Sequence, residues 1–191
     1  MAEQNKFNKS KQEIEQELLQ INAAKDNPAH FQPLYDKYYK PIFIFIFRRT
    51  GSDDITADIC SQVFLRALLN IKKYQFKGVP FSAWLFRIAF NEVNMHFRKN
   101  KSERVISIST TKISLLQAEG ELESTAEADQ LLMEAISELN ERDVELLELR
   151  YFENRQFTEV AQILGITESN AKVKVYRILD KLKQILLKKK K

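Results

Sequence analysis

Arg87, Asn91, Asn94 and Arg98 recur at i, i+4, i+7 and i+11, so a helix would gather them into one polar stripe. Just before them, KKYQFK sets Lys72, Lys73 and Lys77 among Tyr74, Gln75 and Phe76. Cations can track a phosphate backbone while rings stack on unpaired bases, which is the chemistry that single-stranded nucleic acid requires. A base that must leave a duplex needs such a surface too, because unstacking costs on the order of a few kcal/mol. The rings have a second use: Trp84, Phe81 and Phe86 would serve equally well as core.

A second basic pattern lies near the other end. FTEVAQILGITESNAKVKVYRIL, from Phe157 to Leu179, reads as helix, glycine turn, helix. Thr158 can cap the first helix, Val160, Ala161 and Leu164 would face inward, and Gly165 can take the positive φ that ends it. Ile166 would plug the turn, Thr167 can cap the second helix, and Glu168 suits its positive end. Ala171, Val175, Ile178, Leu179, Leu182, Ile185 and Leu186 then form an apolar stripe. The opposite side carries Ser169, Asn170, Val173, Tyr176 and Arg177, flanked by Lys172 and Lys174. In a major groove, Asn could bond adenine, Arg could bond guanine, and Val could rest on a thymine methyl, while the lysines hold phosphates. A plain helical corner inside a bundle uses the same glycine turn, so this pattern alone leaves both readings open.

The elements that must position these residues are helical. Only 4 Gly and 4 Pro in 191 residues leave little for the turns of a sheet. The fold class expected is all-α, with two small helical domains joined by a flexible linker and a helix–turn–helix in the second. Ala29 to Arg49 predicts an aromatic-rich helix bent at Pro41 and ended at Thr50–Gly51. The next helix would be capped by Ser52 or Asp53, with Ile55, Ile59, Cys60, Val63, Ala67 and Ile71 inward. FSAWLFRIAFNEVNMHFRKNK predicts a third, and Gln130 to Phe152 one or two more, restarting near Asn140 and Asp143. The boundaries follow: residues 1–25 as an N-terminal extension with a short helix in KQEIEQELLQI, 26–104 as the first domain, 105–129 as the linker, 130–187 as the second domain and 188–191 as a basic tail.

The net charge of +4 is modest, but it is unevenly placed. Lys and Arg dominate from Lys72 to Arg104, acids from Val105 to Gln156, and Lys and Arg again from Phe157 onward. Two basic blocks around an acidic one suit two contacts with a polyanion, although solvated helix faces give blocks as well. The lone Cys60 allows no intrachain disulfide, and with only His30 and His96 besides, a zinc site is not expected. IFIFIF (Ile42–Phe47) is too short to span a bilayer and MAEQNKFNKSKQ lacks a signal-peptide core, which together point to the cytoplasm without membrane insertion. Asp53, Asp54 and Asp58 could be imagined around Mg²⁺, but helix capping accounts for them and no nucleophile–base pair accompanies them. No catalytic residue, metal site or cofactor is therefore expected.

Both blocks carry a family resemblance. ADICSQVFLRAL, FSAWLFRIAFNEVNMHFRK and LNERDVELLELRYFENRQFTEVAQILGITESNAKVKVYRILDKL resemble, in that order, the core-binding, promoter-melting and second-domain segments of bacterial RNA polymerase sigma factors of the extracytoplasmic-function type. The resemblance runs from about Phe31 to Leu186; SNAKVK departs from the commoner Gly-Thr-Val-Lys-Ser-Arg. It implies that Asp58, Ile59, Gln62, Val63, Phe64 and Arg66 dock on the β′ clamp helices of core RNA polymerase. It further implies that Lys72, Lys73, Tyr74, Gln75, Phe76, Lys77, Ser82, Trp84, Arg87, Asn91, Asn94 and Arg98 capture the minus-10 strand of promoter DNA. Thr167, Ser169, Asn170, Lys172, Val173, Lys174, Tyr176 and Arg177 would read the minus-35 duplex, with a further contact from the second domain to the β-flap. An anti-sigma factor could be an additional partner. A helix–turn–helix activator or repressor is the competing reading; it uses Phe157–Leu182 but leaves Lys72–Lys101 idle.

Overall fold

The computed structural model describes residues 11–76, 78–100 and 126–189, and no strand occurs among them. The chain divides into two units, Met1–Ser107 and Ile108–Lys191. Lys77, most of the expected linker and the last two residues of the tail lie outside the described residues.

The first unit is built from α1 (Lys11–Asp26), α2 (Gln32–Thr50), α3 (Asp53–Asn70) and α4 (Phe81–Asn100), with 3₁₀ turns at Pro28–Phe31 and Ile71–Lys73. The aromatic helix expected from Ala29 starts as the first of those turns, because the Asn27 side chain accepts from the Ala29 N–H at 3.0 Å and tightens the entry. α2 then runs through Pro41 to Thr50 and stops at Gly51, whose φ of 64° is left-handed. Ser52, rather than Asp53, is the N-cap of α3: its Oγ accepts from the Ile55 N–H at 3.5 Å. Asp53 and Asp54 follow in the first turn, where their charge meets the positive helix end.

Leu34, Ile42, Phe45 and Ile46 from α2, Ile59, Cys60, Val63 and Ala67 from α3, and Phe81, Leu85, Phe86 and Ala89 from α4 share one core. Each Leu, Ile, Val or Phe side chain among them contributes about 1.5–3 kcal/mol by leaving water. The rings lock edge to face, with Phe45 and Phe86 centroids 5.0 Å apart. α1 belongs to this core rather than standing apart as an extension. Ile21 and Ala24 are buried, and the buried Glu17 accepts from the Tyr38 hydroxyl and from Lys37 Nζ at 3.0 Å.

Cys60 is fully buried and burial pushes its thiol up to about 11, so almost no thiolate exists at neutral pH. A disulfide reagent at pH 8 is expected to leave the native chain unmodified and to label one thiol after urea unfolding. Immediate labelling of the native chain would contradict the packing of α3.

The second unit contains α5 (Ala126–Ser137), α6 (Glu141–Leu147), a π-helical turn (Glu148–Phe152), α7 (Phe157–Leu164) and α8 (Glu168–Lys189). α5 therefore begins inside residues that were expected to be linker. Asn140 caps α6 by accepting from the Asp143 N–H at 2.9 Å. Gln156, not Thr158, is the N-cap of α7, and the Glu159 carboxylate accepts from its N–H at 3.3 Å. Arg155 and Glu159 are both buried and paired at 3.3 Å, which fixes the start of α7 against the preceding turn. Gly165, with φ at 70°, ends α7 and lets the Ile166 N–H return to the Ala161 carbonyl at 3.0 Å. Val160, Ala161 and Ile163 are the buried apolar residues of α7, with Leu164 only half-buried; Ala171, Val175, Ile178, Leu179 and Leu182 are the buried stripe of α8.

Candidate nucleic-acid interface

α7 holds α8 through the short Gly165 turn, and this leaves one side of α8 open. The Thr167 hydroxyl accepts from the Asn170 N–H at 3.2 Å and sets the first turn of that helix. Thr167, Ser169, Asn170, Lys172, Val173, Lys174, Tyr176 and Arg177 are all exposed. Val173 and Tyr176 keep 47% and 54% of their surface, so the apolar residues of this face are as open as the polar ones. Lys172 is restrained: its Nζ lies 2.7 Å from Glu168 Oε1 and 5.8 Å from the Phe157 ring centroid. Arg150 approaches the same ring at 4.8 Å. Neither cation–ring contact is visible in the linear spacing, because one depends on the Gly165 turn between α7 and α8 and the other on how the chain before α7 folds back.

In the first unit the expected strand surface divides. Lys72, Lys73, Gln75 and Phe76 are exposed around the second 3₁₀ turn, and Arg87, Asn91 and Arg98 are exposed along α4, with Asn94 half-buried. Tyr74 and Ser82 do not belong to that surface. Tyr74 is buried, its ring centroid 5.2 Å from Phe81 and 5.3 Å from Trp84, and burial followed by the nearby Glu17 charge pushes its phenol up to about 12. Ser82 is fully buried in the first turn of α4. A loop aromatic beside lysines looks the same in sequence whether it stacks on a base or anchors the loop; here it anchors.

α3 requires a similar correction. Ile59, Val63 and Phe64, expected at the polymerase contact, point into the core. The face they leave to solvent carries Asp58, Gln62, Leu65 and Leu69, with Leu65 at 57% and Leu69 at 70% exposure. The signal was present, since Leu65 and Leu69 are four residues apart and fall off the Ile59–Val63–Ala67 stripe. Arg66 turns toward α4, where its Nε sits 2.8 Å from Glu92 Oε1. Between these helices lies a cavity of about 320 Å³ lined by Arg66, Asn70, Lys73, Trp84, Ile88, Asn91 and Glu92.

Two basic, half-apolar faces on separate helical units are thus in place, in the order of the sequence blocks. The family model described as Sigma-70 region 2 matches residues 34–103, and that described as Sigma-70, region 4 matches residues 129–182. The chain belongs to the sigma-70 family, among its ECF-type RNA polymerase sigma factors. Among relatives of this sigma factor, the ECF RNA polymerase sigma factor BldN of Streptomyces coelicolor is 29% identical over 89% of the chain, which spans 65% of that relative's length. The ECF RNA polymerase sigma factor SigM of Bacillus subtilis is 27% identical over 80% of the chain and 92% of its own. CnrH, solved in complex with the cytosolic domain of CnrY, shares the fold with a TM-score of 0.56 at 19% identity, covering 88% of the sigma factor and 95% of that chain. α1 lies ahead of the region 2 match, yet it packs on the second 3₁₀ turn. Among the described residues, no cluster of His, Cys, Asp and Glu could hold a metal ion, and no helix is long and apolar enough to cross a membrane.

Proposed function

We propose that the chain is an initiation factor that acts on core RNA polymerase, reads promoter DNA with its two units and opens the duplex, without catalysing a reaction itself. The observation that carries this is the ordered pair of exposed basic faces, one on α4 and its preceding turn and one on α8, each inside the matching family region. α8 lies in the major groove at the minus-35 element, with Asn170 and Arg177 toward base edges and Lys172 and Lys174 toward phosphates. Lys72, Lys73, Gln75, Phe76, Trp84, Arg87, Asn91, Asn94 and Arg98 hold the displaced minus-10 strand, where cation and ring together favour unpaired DNA; Lys77 joins them by its place in the sequence. Asp58, Gln62, Leu65 and Leu69 dock on the β′ clamp helices, and the second unit touches the β-flap. The factor works in the cytoplasm beside the polymerase. An anti-sigma factor is a further partner, because two exposed leucines on one helix face favour being covered when polymerase is absent.

Gel filtration of the full chain with bacterial core RNA polymerase tests this reading. A one-to-one complex is expected, with the chain alone binding duplex DNA weakly. No complex with polymerase, together with tight duplex binding by a dimer of the chain, would assign it to the helix–turn–helix regulators instead.

A further inference from the structure

Val173 stands in the middle of the open side of α8. Its neighbours on that face are Ser169 and Asn170 one turn before it and Tyr176 and Arg177 one turn after, at the spacings that share a helix face. It keeps 47% of its surface, and Tyr176 keeps 54%. The fold offers no reason for an apolar, β-branched residue here. At an exposed helical position Val is a poorer helix former than Ala, Lys, Gln or Glu, because its χ1 freedom is lost against the preceding turn. The buried stripe of α8, from Ala171 to Leu182, does not include it.

The lysines beside it belong to the flanks. Lys172 Nζ lies 2.7 Å from Glu168 Oε1, one turn back, and Lys174 follows Val173 on the other side of the helix. Val173 and Tyr176 are thus left bare between Asn170 and Arg177, which can hydrogen-bond to base edges. Three residues of helix separate the two apolar side chains by about 4.5 Å along the axis, close to the step of about 3.4 Å between successive bases of a strand. In the major groove, the apolar group that a base edge presents is the C5-methyl of thymine.

We propose that Val173 and Tyr176 form a methyl-reading patch, which makes thymine at neighbouring steps of the minus-35 duplex part of what this chain selects. The proposal rests on the initiation reading above, and it gives α8 a base preference beyond the hydrogen bonds of Asn170 and Arg177. Each contact works by taking a thymine methyl and an apolar side chain out of water together.

The test is selection by the holoenzyme, assembled from the full chain and core polymerase, on duplex DNA randomised across the minus-35 element. Fluorescence anisotropy on the selected duplex, at one salt concentration, then measures each base. Thymine should be enriched at neighbouring positions. Deoxyuridine, which differs from thymidine only in lacking the C5-methyl, should weaken wild-type binding by about fourfold at each of them, the worth of one buried carbon group. Val173→Ala should erase the uracil penalty at one of these positions and keep it at the next, where Tyr176→Ala erases it. Alanine favours the helix at both sites, so α8 stays folded in either variant. A selected element without enriched thymine, uracil bound as tightly as thymine throughout, or a penalty that neither variant reduces would overturn the assignment and leave the initiation reading standing. Absence of core binding and of any selected sequence would instead mean that the initiation reading itself fails.

Discussion

Replacing Leu65 and Leu69 together by Asp is expected to lower affinity for core RNA polymerase by about a thousandfold. Both side chains are mostly exposed on the outer face of α3, so the free chain loses no core packing and its helicity and melting midpoint should stay as they are. In the complex, each leucine would fill an apolar depression, and each Asp would leave an unpaired charge there. Losses of about 2 kcal/mol per anchor are ordinary for buried interface positions, and two of them together amount to roughly a thousandfold. Exchanging the buried Val63 for Asp should behave differently, unfolding the first unit and exposing Cys60 to thiol reagents. Retention of full core binding by the double-Asp variant would move the polymerase contact off this face.

The second large effect lies on α8. Arg177→Ala should weaken minus-35 duplex binding by about tenfold to a hundredfold, as expected for loss of a guanine-reading Arg. Core binding should not change, because Arg177 is exposed and contributes nothing to the α7–α8 core. Lys172→Ala should cost less, since Glu168 at 2.7 Å already takes part of its charge; its signature is a salt slope reduced by about 1. Both are read by fluorescence anisotropy of the holoenzyme on labelled minus-35 duplex across a salt series. An equal loss of duplex and core binding in the Arg177 variant would mean that the second unit had unfolded or that α8 is not the reading helix.

What the sequence made legible was periodic or chemically unambiguous. The α8 stripe repeats every three to four residues from Ala171 to Leu182, and Gly165 and Thr167 have few uses other than ending one helix and starting the next. The same logic located α3 and narrowed its cap to Ser52 or Asp53. It failed where position in space, not spacing, decides. Tyr74 sits among lysines in a stretch that reads as open, yet Phe81 and Trp84 lie across the turn from it and draw its ring inward. Glu17 belongs to a charged helix that shows no motif, and its buried carboxylate meets Tyr38 and Lys37, about twenty positions later. Arg66 and Glu92 are likewise far apart in sequence, so neither their ion pair nor the cavity beside it could be read from a helical wheel. Ile59, Val63 and Phe64 show a different failure. A pattern borrowed from a family says that a segment docks, but burial decides which side of it is free to do so.

Run-off transcription from genomic fragments with core RNA polymerase, in the presence and absence of this chain, tests the central claim most directly. New start sites that appear only with the chain, each preceded by the same pair of minus-35 and minus-10 sequences, are the predicted result. Start sites unchanged by the chain, alongside a dimer that binds a two-fold duplex site unaided, would contradict it.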